Sequence, residues 1–360
     1  MTVRVAVVGL GWAGRSIWLR RLLVHPAYEV VAAVDSEPVV RAVVAREHPG
    51  VRVFETLDEL RAGEVDLAVV AVPNHLHAEV GCRLLAAGIP VFLEKPVCLN
   101  SAEADQLAAA EREGGAVLLA GSAARYRADV LALGDIVGSL GRIRHVQLDW
   151  IRAKGVPNAS GWFTRRDLSG GGALVDLGWH LLDTLGLLLG PAGFDQVVGT
   201  VSRDFVAAGA WRAQWREEEG PVALESDVED TARGFLVSES GVSVSLRASW
   251  ASHEPLDVTT IKVEGSTGAA TLSCTFGFSP NRRDGSTLTR VREGVAEPVD
   301  VPVEEIGAEY RRQLDELPAL LADPGSAGRA IAEAHRTISV IERLYDSARL
   351  GRRTASPVNA

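Results

Sequence analysis

A chain of 360 residues exceeds the roughly 250–300 at which single hydrophobic cores stop growing, so two domains are expected. Hydrophobic content of 47% and charged content of 23% describe an ordinary globular protein and confine disorder to a flexible tail at 351–360. The formal charge of −10, with no lysine or arginine stripe, excludes a nucleic-acid binder; Cys82, Cys98 and Cys274 lack the paired spacing of zinc or disulfide frameworks and read as packing residues in a reducing cytoplasm.

The opening run Val3–Val8 meets a glycine turn and lacks the length and flanks of a signal peptide. Gly, Asp or His interrupts every window before it reaches the roughly 18 apolar residues of a membrane span, so no membrane association is expected. Short β-branched runs at 3–8, 30–34, 66–72, 90–93 and 116–120 alternate with helical stretches at 12–24, 38–47, 75–87 and 101–113. Runs apolar on both faces fit a parallel sheet covered by helices, which predicts a doubly wound α/β Rossmann domain over residues 1–122.

The first strand ends in Gly9-Leu10-Gly11-Trp12-Ala13-Gly14, a G-x-G-x-x-G turn between strand and helix. Gly9 suits the tight turn, Gly11 the approach of a pyrophosphate and Gly14 close helix packing, with Trp12 and Ala13 at the amide-bearing helix start. Asp35 closes the second strand, where a carboxylate accepts ribose hydroxyls and repels a 2′-phosphate. Ser36 follows in place of an arginine, so NAD is expected over NADP, with Arg15 and Arg41 the residues that would soften the preference. Two further strands end in Pro73, Asn74, His75 and His77, and in Glu94, Lys95 and Pro96, at the strand ends where such sheets bind ligands. Asn74 also suits a helix cap, and His75 a solvated surface.

From residue 123 to 350 the pattern changes to an α+β domain. Residues 242–250, "VSVSLRASW", alternate without error, and similar segments at 143–151, 195–203, 230–237, 258–264 and 269–274 predict one open-faced, mainly antiparallel sheet of about six strands. Between the first two lies "GGALVDLGWHLLDTLGLLLG", 171–190, whose regular helix would place Asp176, His180 and Asp183 on one stripe of a mostly apolar surface. By itself that stripe leaves three readings: a satisfied structural histidine, a metal site, or an acid/base pair lining a cleft. The metal reading lacks a Cys cluster or an H-E-x-x-H sequence, so no metal is expected. Residues 304–322 and 326–349 read as amphipathic closing helices. Glu217, Glu218, Glu219, Glu225, Asp227, Glu229 and Asp230 read as a solvated acidic loop and strand entry.

Gly9–Gly14, Glu94-Lys95-Pro96 and Asp176-Leu177-Gly178-Trp179-His180, in this order and ahead of a β-rich half, resemble the Gfo/Idh/MocA oxidoreductase family over essentially the whole chain. The resemblance implies that Lys95 neutralises a substrate oxygen, His180 shuttles its proton and Asp176 assists near the nicotinamide. It also implies that Pro73, Asn74, His77, Glu94 and Lys95 contact the cofactor. Such chemistry is coherent, because a secondary alcohol yields hydride only when a base takes its proton and a cation meets the developing oxyanion. Where relatives often carry Asn-Arg-Arg-Phe, this chain has Ala123-Ala124-Arg125-Tyr126, which keeps Arg125 and Tyr126 as substrate contacts but lacks the asparagine. Trp162 and Phe163 offer apolar faces to a sugar or, alternatively, belong to the core.

The expected substrate is a ring secondary alcohol or ketone of a neutral sugar, aminosugar or cyclitol, preferred over a uronic acid or sugar nucleotide. An NAD-dependent glycosidase and a non-catalytic NAD-binding sensor or repressor are the alternatives. The resemblance further implies pairing through the open sheet as a homodimer or homotetramer.

Overall fold

The computed structural model describes residues 2–157, 161–206, 211–213 and 226–354. The chain divides into two compact units: residues 1–122 with 310–335, and residues 123–309 with those from 336 onward.

The first unit holds six parallel strands, β1 (Val3–Val8), β2 (Tyr28–Val34), β3 (Arg52–Phe54), β4 (Leu67–Val70), β5 (Val91–Leu93) and β6 (Leu118–Ala120), in the order β3-β2-β1-β4-β5-β6. The order reverses beside β1, which puts the ligand crevice of a doubly wound sheet at the ends of β1 and β4. Val5, Ala6, Val7, Leu67, Ala68, Val69 and Val70 are fully buried, as strands covered on both faces must be. Five of these strands match runs expected from the sequence; the sixth, β3, is a three-residue edge strand whose Arg52 is exposed and which carries no apolar run. A π-helical segment Ala13–Leu19 leads into α1 (Arg20–Leu22), followed by α2 (Pro38–Glu47), α3 (His77–Ala86) and α4 (Ser101–Gly114). Asn100 caps α4 by accepting from Glu103 N, and Gly115 ends it at φ 61°.

In the second unit, α5 (Ala128–Val137) precedes β7 (Ile143–Ile151), α6 (Arg166–Ser169), a π-helical turn Leu174–Gly178, α7 (Trp179–Leu189) and seven more strands. These are β8 (Phe194–Ser202), β9 (Thr231–Ser238), β10 (Ser243–Ser249), β11 (Val258–Gly265), β12 (Ala269–Cys274), β13 (Thr287–Arg292) and β14 (Val295–Val299). The sheet order is β14-β13-β12-β11-β7-β10-β9-β8, antiparallel except for the parallel pair β7 and β10. Val146, Leu148 and Trp150 of β7, Val244, Leu246 and Ala248 of β10, and Ile261 and Val263 of β11 fill one buried face. Eight strands replace the expected six: β13 is largely polar, and β14 is an exposed edge strand containing Pro298, so neither carries the alternation that reveals β10. On the other face Val198 and Phe235, paired in register, remain 61% and 50% exposed.

Two helices end the chain, α8 (Ala308–Ala322) and α9 (Arg329–Thr354). Residues 310–335 group with the first unit, whereas periodicity places them with the second domain. The cause is a set of long-range bonds invisible to pattern: Tyr28 Oη donates to Leu314 O at 2.5 Å, Gln313 Nε2 to Ala120 O at 2.9 Å, and His25 meets Asp315 at 2.9 Å. Residues 166–189 are, among the described residues, the one stretch long and apolar enough to cross a membrane, but 78% of its most apolar window is buried in the protein. Cys98 and Cys274 are buried, and Cys82 is half-buried.

Candidate active-site residues

In the first unit the glycine turn is shaped by backbone contact. Gly9 has φ 86°, and a Cβ there would lie 2.7 Å from Ala71 O; a Cβ at Gly14 would overlap Gly9 O. At Gly11 a Cβ would meet nothing within 4 Å, and the residue is exposed, so the turn is open there as a dinucleotide's pyrophosphate requires. Trp12 and Ala13 are half-buried beside it. Asp35 is tied to this turn: its Oδ2 accepts from Leu10 N at 2.6 Å and its Oδ1 from Glu37 N at 2.8 Å. Arg41 faces the protein, donating to Asp35 O at 2.8 Å and pairing with Glu55 at 3.0 Å, which commits the guanidinium, while Ser36 and Arg15 are exposed. The turn and the carboxylate therefore fit a nicotinamide dinucleotide.

The loops after β4 and β5 are joined by His77. It is 1% exposed, with Nδ1 2.6 Å from Pro96 O and Nε2 2.9 Å from Val72 O. Burial lowers its pKa, opposed by the two carbonyls. Whichever ring nitrogen carries the proton donates to one of these carbonyls, so buried His77 braces the two loops against each other. Glu94 is likewise turned inward: Oε1 accepts from Trp18 Nε1 at 2.7 Å and Oε2 from Lys95 N at 2.9 Å, and burial pushes its pKa up. Pro73 and Lys95 are half-buried, Asn74 is buried at the start of its turn, and His75 is exposed.

In the second unit Asp176 sits on the π-helical turn, where Trp179 N bonds Leu174 O, and His180 follows in α7. The regular 100° spacing expected over 176–183 is thus interrupted. Asp176 is buried; its Oδ2 accepts from Trp250 Nε1 at 2.9 Å and lies 3.8 Å from Arg152 Nη1. The half-buried His180 ring is 5.6 Å from that of Trp150, over which Arg152 also lies at 5.3 Å. Asp183 belongs elsewhere: it binds Arg125, with Nε 2.9 Å from Oδ1 and 3.0 Å from the backbone oxygen. That pairing separates Asp183 from the carboxylate–imidazole–carboxylate stripe, and no group of three or more His, Cys, Asp or Glu able to hold a metal occurs among the described residues. Arg125 is correspondingly a link to α7, with Tyr126 half-buried beside it. Phe163 is buried against Trp250 at 6.1 Å, while Trp162 is half-buried and packs edge-on against Phe163 at 4.9 Å.

Sequence reasoning missed Arg152, Trp150 and Trp250 as site residues. Because β7 and β10 run parallel, Arg152 and Trp250 emerge side by side, with Arg152 N bonded to Ser249 O at 2.9 Å. Alternation reveals each strand but not their relative direction. The acidic stretch also reads differently: Glu229 and Asp230 are buried, the former accepting from Gly172 and Leu174 amides and the latter from Phe205 and Val206. Glu217, Glu218, Glu219 and Glu225 lie outside the described residues.

Two family models match the chain: "Oxidoreductase family, NAD-binding Rossmann fold" over residues 3–122, and "GFO/IDH/MocA C-terminal domain" over 137–271. A protein of Amycolatopsis mediterranei (strain S699), provisionally named UDP-kanosamine synthase oxidoreductase subunit, is 62% identical over 97% of this chain and 96% of its own length. The D-glucoside 3-dehydrogenase of Escherichia coli (strain K12) is 28% identical, covering 82% of this chain and 83% of that protein. The crystal structure of GenD2 from gentamicin A biosynthesis in complex with NAD superposes with a TM-score of 0.76 at 27% identity, covering 98% of this chain and 95% of that one.

Proposed function

From the premise that the chain belongs to the Gfo/Idh/MocA oxidoreductase family, we propose that it is an NAD-dependent dehydrogenase that oxidises carbon 3 of a hexose carried on a uridine diphosphate. The observation that carries this reading is the 62% identity, over nearly the whole chain, with a protein named for UDP-kanosamine synthesis. Kanosamine bears an amine at carbon 3 of a glucose ring, and a ketone there is the carbonyl that an amine donor needs. The name of the glucoside dehydrogenase points to the same carbon. This reading departs from the neutral sugar, aminosugar or cyclitol expected from the sequence in preference to a sugar nucleotide. Arg165 and Arg166 pair with Asp167 at 2.7 Å and Glu229 at 3.3 Å, so neither is assigned to the diphosphate.

The bound nicotinamide would accept the hydride from carbon 3. His180 takes the proton of the 3-hydroxyl, Lys95 offsets the negative charge developing on that oxygen, and Asp176 stabilises the charged imidazole. Trp150 beside His180 and Trp250 beside Asp176, the latter backed by Phe163, support this assignment by lowering the local dielectric, which strengthens the electrostatics of proton transfer. Asp35 supports NAD over NADP, since its carboxylate repels a 2′-phosphate and Arg41 is spent on Asp35 O and Glu55.

The test is a panel of UDP-glucose, glucose, glucosamine, myo-inositol and glucuronate with NAD, followed at the NADH absorbance band. UDP-glucose should be oxidised best, to the 3-ketone. Better use of a free sugar would overturn the substrate, release of a glycoside without net NADH would indicate the glycosidase, and cofactor binding without turnover the sensor. A cytoplasmic homodimer or homotetramer, paired through the face bearing Val198 and Phe235, completes the proposal. Light scattering at micromolar concentration should give a multiple of the chain mass, lost on Phe235→Asp.

A further inference from the structure

The glycines ahead of the Asp176–His180 helix have a specific surrounding. A Cβ at Gly171 would overlap the Tyr345 hydroxyl, and one at Gly172 would overlap Glu229 O. Both residues are thus glycine so that the backbone can press onto Glu229 and Tyr345. Glu229 is 1% exposed, and four donors reach its carboxylate. Its Oε1 accepts from Gly172 N at 3.0 Å, Leu174 N at 3.0 Å and the Tyr345 hydroxyl at 2.8 Å, and its Oε2 from Arg166 at 3.3 Å. Its backbone oxygen takes a further amide, Ala173 N, at 3.1 Å. Arg166 then lies over the Tyr345 ring at 4.6 Å. Three consecutive amides at the entry of one helix are therefore held by one residue of β9's approach, which is itself held by α9 and α6.

We propose that Glu229, supported by Tyr345 and Arg166, is a positioning residue for the catalytic helix: it fixes the entry of the π-helical turn and so the placement of Asp176 and His180. The proposal rests on the catalytic reading of those two residues. Asp176 N bonds Gly172 O at 3.0 Å, so the amide group anchored by Glu229 is joined directly to the residue that carries the carboxylate. A helix start buried without a partner would be costly, and a buried carboxylate without donors equally so. Here each satisfies the other. Burial raises the Glu229 pKa, with the Leu174 amide, Tyr345 and Arg166 acting against it. Because near-attack geometry is sensitive at the ångström scale, a loosened entry should cost turnover more than binding.

The experiment compares the full-length wild type with Glu229→Gln and Tyr345→Phe. Glutamine keeps the shape and one acceptor oxygen but turns an amide toward Arg166; phenylalanine removes one donor and leaves the glycine contacts. Amide exchange at 172–178 should accelerate roughly 10-fold or more in Glu229→Gln and less in Tyr345→Phe. The ring signals of His180 should shift in carbon–proton spectra, while NADH binding read by fluorescence stays unchanged. With UDP-glucose, kcat should fall roughly 10- to 100-fold at constant KM for NAD. If Glu229→Gln fails to fold, Tyr345→Phe decides alone. Unchanged exchange and unchanged His180 signals in a folded variant would overturn the positioning role. Failure of every alcohol to react would instead overturn the substrate reading and leave the exchange and spectral arms to decide this one.

Discussion

Two glycine-rich turns that lead into helices carry this protein's candidate chemistry, and they are held in opposite ways. At Gly9–Gly14 the helix start is left open: Gly11 faces solvent, and the nearby Asp35 ties only the flanking Leu10 and Glu37 amides. At 170–172 the helix start is closed, because Glu229 takes the Gly172, Ala173 and Leu174 amides for itself. An open helix start is an anion site, so the first turn can receive a pyrophosphate. A closed one cannot bind an anion and instead becomes a rigid mount for the side chains that follow, here Asp176 and His180. Glycine serves ligand access in one case and internal packing in the other.

The largest effect expected is on chemistry. Lys95→Ala and His180→Ala should each lower turnover roughly 100-fold or more, while thermal midpoints change little. Steady-state kinetics beside calorimetry checks this; an inactive variant that is also unfolded would place that residue in the scaffold instead of the reaction.

Next in size is a direct contrast between the two turns. Gly172→Ala forces a Cβ into Glu229 O and should destabilise by about 2 kcal/mol or more, as overpacking against rigid backbone does. Gly11→Ala meets nothing within 4 Å and should leave the thermal midpoint near wild type while weakening NAD binding. Unfolding curves and cofactor titration on both variants would erase the distinction if Gly172→Ala proved as stable as Gly11→Ala.

The same contrast explains what was legible. The open turn is six consecutive residues whose function lies in its own backbone, so Gly9, Gly11, Gly14 and Asp35 stand out in the sequence at once. Lys95, Asp176 and His180 came from motif resemblance. Arg152, Trp250, Glu229 and Tyr345 did not, because they arrive from the ends of β7 and β10, the approach to β9 and the distant α9. Their sequence surroundings are ordinary strand and helix; only parallel pairing of β7 with β10 and packing of α9 give them a common neighbour. For the same reason Glu229 looked like part of a solvated acidic run, although 1% of it is exposed. His77 shows the reverse: a polar residue at a ligand-binding strand end, it lies buried between two loop carbonyls.

A smaller effect probes the open turn alone. Asp35→Ala should narrow the ratio of NAD to NADP affinity by roughly 10-fold, since it removes an acceptor for the ribose and a charge that repels phosphate. The ratio is the right measure because Asp35 also holds Leu10 N, so both absolute affinities will fall. Tighter NADP binding in the wild type would show that the exposed Arg15, and not Asp35, sets the preference.

The smallest expected effect separates the two units by the sign of their pH dependence. Asp66, which accepts from Arg4 N at 2.8 Å, Nε at 3.0 Å and Nη2 at 2.7 Å, has its pKa lowered by those bonds. Below its ordinary pKa the unfolded chain gains a proton that the folded one refuses, so its contribution is present above that value and is lost as pH falls through the lowered one. Glu229 has its pKa raised by burial, so across the window between the ordinary value and the raised one the folded chain keeps a proton that the unfolded chain has released. Its contribution therefore declines as pH rises through that window. Asp66→Asn should flatten the acid limb of stability in the first unit, and only slightly, because the pair is partly exposed and screened. Glu229→Gln should remove a decline with rising pH in the second. Amide exchange resolved by unit, at several pH values, reads both slopes; slopes of the same sign would mean that the donors around Glu229 outweigh its burial, so that an ionised carboxylate holds the closed helix start.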